Sequence, residues 1–136
     1  MNWYLLALKK YADFKGRSRR SEYWYFVLFN ILAVMAIAMI SGILSSIIGD
    51  AAFGLTAIYY IGIIIPSLAV AVRRLHDTGR SGWWYLIGLI PIIGGIVLIV
   101  FFCEDSKPGS NQWGPNPKEV GEEYVGQDAN ILDDLV

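Results

Sequence analysis

The sequence predicts an all-α membrane protein: three transmembrane helices, preceded by a short interfacial amphipathic helix and followed by a mobile C-terminal tail. Three observations predict it. The 136-residue chain is 55% hydrophobic and only 17% charged, where a soluble domain carries about a quarter charged residues. Its mean hydropathy is +0.47. The stretches Tyr23–Gly49, Ala51–Val72 and Ser81–Cys103 contain no Asp, Glu, Lys or Arg, and each exceeds the roughly 18 residues that mark a bilayer-spanning helix. One cysteine excludes a disulfide scaffold, and the composition excludes an ordinary cytosolic enzyme.

The formal net charge of −1 hides an asymmetry. Met1–Cys103 carries nine Lys/Arg against four acids, and the remainder two lysines against eight acids. The chain therefore divides into one membrane domain, residues 1–103, and an acidic tail, residues 104–136.

Residues 3–15 read as the interfacial helix, with Tyr4, Leu8 and Tyr11 on one face and Lys9 and Asp13 on another. Gly16 ends it. Ser21 suits an N-cap, and Glu22 suits the positive end of the next helix dipole. Span one, residues 24–48, opens on an aromatic belt that includes Trp24. Gly49 is placed for a left-handed C′ residue and Asp50 for the cap of span two. Span two, residues 52–72, contains Pro66, which should kink its second half, and ends at Arg73-Arg74. Span three, residues 83–102, opens on Trp83 and Trp84 and is weakened by Pro91 and Gly94-Gly95. The tail, rich in Pro, Gly, Asn and acids, lacks the apolar surface to offset chain entropy; within it only Trp113 is suited to dock at the membrane surface.

Orientation follows from basic residues in short flanks. Six precede span one, none lies at the first turn, and Arg73, Arg74 and Arg80 lie in the second loop. That places the N-terminus in the cytoplasm and, with three spans, the C-terminus in the periplasm. Pro91 and Gly94-Gly95 leave a competing arrangement open, in which the last stretch dips in and returns and the tail stays cytoplasmic. Lipid-exposed non-helical backbone, at several kcal/mol per unsatisfied group, weighs against it.

Gly16-Arg17-x-x-Arg20-x-Glu22-Tyr23-Trp24, Arg73-Arg74-Leu75-His76-Asp77-x-Gly79-Arg80-Ser81-Gly82-Trp83-Trp84 and Asn111-x-x-Gly114-Pro115 together resemble domain-of-unknown-function family 805. The resemblance spans about residues 3–118. It implies a small α-helical protein of the bacterial inner membrane and no assigned activity.

The candidate site is a cluster of Arg17, Arg20, Glu22, Arg73, Arg74, Asp77 and Arg80, all expected at the cytoplasmic face. Its bland role is a structural clamp, with Arg73 and Asp77 as a helical i,i+4 pair; its sharper role is to hold anionic lipid phosphates. Trp24, Trp83 and Trp84 are interface anchors. Ala38, Gly42 and Ser46 form a small-residue face for helix packing, within the chain, in a homo-oligomer or with a membrane partner. His76 and Cys103 flank span three and make neither a catalytic pair nor a metal site, so no catalytic residue, cofactor, metal or nucleic-acid partner is expected. The expected role is non-enzymatic, a lipid or protein interaction at the cytoplasmic face. The alternative is a small transporter or channel subunit.

Overall fold

The structure, a computed structural model, describes residues 3–119. All described elements are helical: α1 (Trp3–Lys9), α2 (Arg20–Ile48), a 3-10 turn (Gly49–Phe53), α3 (Gly54–Asp77), a 3-10 segment (Gly82–Leu89) and α4 (Ile93–Cys103). The described residues fall into two compact units. One comprises residues 3–13 and 21–70, the other 14–20 and 71–119.

In the first unit, α1 is shorter than the interfacial helix expected over 3–15, and it is packed on one side. Ala7 is fully buried with Phe26 of α2 and Val70 of α3. The Tyr4 ring stacks on Phe26 with centroids 5.8 Å apart. Contact between residues early in α2 and late in α3 makes the two helices antiparallel. Gly49, at φ +68, takes the left-handed turn. Asp50 falls inside the 3-10 turn instead of capping the next helix, so α3 starts at Gly54.

Helices of 29 and 24 residues measure about 43 and 36 Å, longer than the roughly 30 Å hydrocarbon core. The run Arg20–Asp77 is long and apolar enough to cross a membrane, while α4 is a shorter apolar helix. Ile47, Ile58 and Ile61 are 77, 69 and 70% exposed, a surface suited to lipid and not to water.

Polar side chains inside this unit answer each other. Tyr59 donates to Asn30 Oδ1, and the hydroxyls of Ser41 and Thr56 lie 3.3 Å apart. Ala38, Gly42 and Ser46 point elsewhere: all three are exposed, and a Cβ on Gly42 would meet nothing within 4 Å. The α2–α3 contact runs through Ser41, one position away from that stripe.

Pro66 has no N–H, which frees the Gly62 carbonyl four residues earlier. The Tyr11 hydroxyl donates to that carbonyl at 2.7 Å. Tyr11→Phe should leave it unsatisfied in an apolar setting and cost about 1–2 kcal/mol. The check is thermal unfolding in one detergent, where an unchanged midpoint would remove this role from Tyr11.

In the second unit the expected third spanning helix does not form. Pro91 drives its predecessor out of the helical region, and Ile90 sits at φ −77, ψ 117. Ile92 then turns at φ +66. Helix α4 starts directly after this turn and has 11 residues, about 17 Å and only half a bilayer core. It folds back along the 3-10 segment. The Trp84 and Phe101 rings meet edge-on at 5.8 Å, and Leu98 packs beside Gly88. The apolar stretch thus begins and ends at one place: Arg80, just before it, grips both oxygens of Glu104, just after it, at 2.7 and 3.0 Å. Residues 104–119, expected to belong to the mobile tail, fold against the same end. The remaining residues of that acidic tail lie outside the described residues.

Candidate functional site

The site lies within the second unit, where the last turn of α3 meets residues 16–20 and 102–114. Helix α3 continues past Arg73-Arg74 to Asp77 and stops in a Schellman motif. Gly79, at φ +77, supplies the left-handed residue. Its N–H bonds the His76 carbonyl at 3.0 Å, and the Arg80 N–H bonds the Leu75 carbonyl at 2.9 Å.

Asp77 is the hub. Arg17 Nε donates to Oδ1 at 3.0 Å, while Arg74 Nη1 and the Ser106 hydroxyl donate to Oδ2. Asp77 and the side chains of both arginines are essentially unexposed. From its own helix, Arg74 pairs with it at i,i+3.

Arg17 uses its whole fork. Besides Asp77 Oδ1 it reaches the carbonyls of Gly109 at 2.9, Gly114 at 3.3, Asp77 at 3.2 and Lys107 at 2.7 Å. Five N–H donors thus have five acceptors. Arg74 bonds the carbonyls of Phe102 at 3.2 and Ser18 at 3.3 Å, and that of Glu104. Burial lowers Arg74 from the usual guanidinium pKa, and the Asp77 charge opposes the shift. These bonds satisfy carbonyls that loops and a helix end would otherwise leave bare.

The other predicted residues take separate stations. Arg73 is fully buried beside Arg74, and its carbonyl accepts from the Ser18 N–H at 3.1 Å. Arg20 is half-exposed, 3.7 Å from Asp105, with Nη1 on the Cys103 carbonyl at 3.2 Å. The Lys118 ammonium holds the Asp105 carboxyl below the usual range. Arg80 lies 3.8 Å above the Phe101 ring. Glu22 is buried in the first turn of α2, in the other unit. Trp24, Trp83 and Trp84 are exposed.

His76 donates through Nδ1 to the Gly16 carbonyl at 3.1 Å. Its ring stacks on Trp113, 4.4 Å between centroids and 5° from parallel, so Trp113 covers one face of the histidine. Burial lowers the His76 pKa, against the pull of the Gly16 carbonyl. Asn111 Nδ2 bonds the His76 carbonyl at 2.9 Å.

Ser106, Asn111, Trp113 and the loop carbonyls are the partners that the sequence did not assign to the cluster. The available signals were the Asn111-x-x-Gly114-Pro115 pattern and the acids following Cys103. Chemically the arrangement builds structure. Its strongest donors are engaged by backbone, and no three His, Cys, Asp or Glu side chains gather for a metal among the described residues.

Comparison with known proteins gives this geometry a lineage. The chain is 48% identical over 122 residues to inner membrane protein YhaH of Escherichia coli strain K12, covering 87% of this chain and 98% of the relative. It is 45% identical over 118 residues to inner membrane protein YhaI of the same strain, with coverages of 87% and 97%. A third relative there, uncharacterized protein YiiR, is 32% identical over 78 residues, 57% of this chain and half of that one. No solved structure matches. Residues 11–115 match the model for proteins of unknown function named DUF805, and the chain belongs to that family, as a bacterial inner-membrane protein.

Proposed function

Starting from that membership, we propose that the chain is a non-catalytic interaction protein of the inner membrane. Arg17, Arg74 and Asp77 act as the clamp of a polar cap at the cytoplasmic face. The exposed groups around the cap meet anionic lipid or a membrane-protein partner. The complete use of the Arg17 fork inside the chain carries the reading. A guanidinium so committed organises loops and has no donor left for a substrate.

The same reading brings the tail to the cytoplasmic side, in place of the expected periplasmic C-terminus. Support comes from the Arg80–Glu104 bridge across the apolar stretch and from the basic flanks. The single cysteine, exposed Cys103 at the end of α4, tests it without mutation. A membrane-impermeant maleimide should leave Cys103 unmodified in spheroplasts and modify it in inverted vesicles. The opposite pattern restores a full third span and a periplasmic tail. One observation favours the second reading, a small transporter or channel subunit: the broken backbone at Ile90–Ile92. Solute flux in liposomes that is lost on altering Pro91 would establish it.

A further inference from the structure

A shallow groove of about 280 Å³ opens at the foot of the hairpin, lined by Ser81, Trp83, Trp84 and Ile87. Trp83 is 79% exposed, a large apolar ring with a free N–H donor. Ser81 Oγ accepts from the Trp83 N–H at 3.4 Å, which leaves its hydroxyl proton to donate outward. The Lys107 side chain lies over Gly79, two residues before Ser81: a Cβ there would sit 2.9 Å from Nζ. No salt bridge engages Lys107 among the described residues, where Asp105 is taken by Lys118 and Glu104 by Arg80. The described part of this unit, residues 14–20 and 71–119, holds nine Lys/Arg against four acids.

We propose that this groove seats one anionic phospholipid, its phosphate on the Lys107 ammonium and the Ser81 hydroxyl, its glycerol ester and first methylenes against Trp83, Trp84 and Ile87. Indoles favour the headgroup–acyl boundary, and a lysine draws an anionic headgroup. The volume suits the headgroup–glycerol region, with the acyl chains continuing along the apolar hairpin. The arginines of the clamp take no part, since Arg17 has all its donors engaged and Arg74 is fully buried. The assignment rests on the membrane reading above, yet it fails separately from it: Cys103 labelling reports the topology, and lipid retention reports the groove.

The test is native mass spectrometry of the full chain after exchange from nanodiscs of equal phosphatidylglycerol and phosphatidylcholine into mild detergent. The wild type should keep one phosphatidylglycerol. Lys107→Gln should reduce that retention roughly fivefold, with an unchanged melting temperature, because only the Lys107 backbone touches the clamp. Trp83→Ala should reduce it as well, and Lys118→Gln should not. Equal retention of the two lipids, or wild-type retention by Lys107→Gln, overturns the proposal, whatever the labelling of Cys103 shows.

Discussion

Asp77→Ala should lower stability by about 3–5 kcal/mol, the cost of breaking a buried ion pair from one side. The carboxylate takes Arg17 on one oxygen and Arg74 with Ser106 on the other. Its removal leaves two guanidiniums with almost no exposed surface and no counter-charge at that point. Arg17 would then lose its register on the carbonyls of Lys107, Gly109 and Gly114, and the segment after α4 would detach. Measured by heating in detergent and by limited proteolysis, the variant should melt well below the wild type, with first cleavage between residues 104 and 116. Asp77→Asn, which keeps one acceptor oxygen, turns an NH2 donor toward one of the guanidiniums and loses the charge, should fall between. A melting curve for Asp77→Ala superimposable on the wild type would show that the clamp holds nothing.

Gly94→Val should be nearly as damaging, for a steric reason. A Cβ at Gly94 would land on the Ile87 carbonyl oxygen and lie 3.1 Å from Gly88 Cα. Those are backbone atoms, so the two legs of the hairpin must separate. Overpacking of this kind costs about 1–3 kcal/mol, and here it also pulls Arg80 from Glu104. Gly95→Ala is the control. The neighbouring position meets nothing within 4 Å, and alanine favours a helix over glycine by about 1 kcal/mol. The expected result is opposite signs one residue apart, read as melting temperatures in the same detergent. Equal tolerance at both positions would mean that the hairpin is not closely packed.

Much of this was legible in the residues. Charge-free runs located α2 and α3 to within a few residues, because apolar content and length are local properties that a bilayer reads directly. The members of the Asp77 contact were legible as residues: Arg17, Arg74 and Asp77 were named, within a wider set that also held Arg20, Glu22, Arg73 and Arg80. Their pairing was not, since a helix allows both i,i+3 and i,i+4 contacts and packing chooses between them. The third apolar stretch misled by its length. Its Pro91 and Gly94 announced a break, and composition alone could not weigh that break against the pull toward a straight span. Residues 104–119 misled in the other direction. Their polarity reads as a tail when burial is the measure, but they are held by hydrogen bonds from Arg17, Arg74 and Asn111, which hydropathy does not count.

By itself the sequence settled the solvent and the family. It placed an oily chain in a membrane and put a set of arginines beside its ends, because partition into lipid depends on composition summed along each segment. Tertiary structure alone decided where the last apolar stretch leaves and what each guanidinium holds. Those outcomes depend on groups 24 to 97 positions apart, such as Arg80 with Glu104 and Arg17 with the Gly114 carbonyl, whose meeting no local pattern encodes.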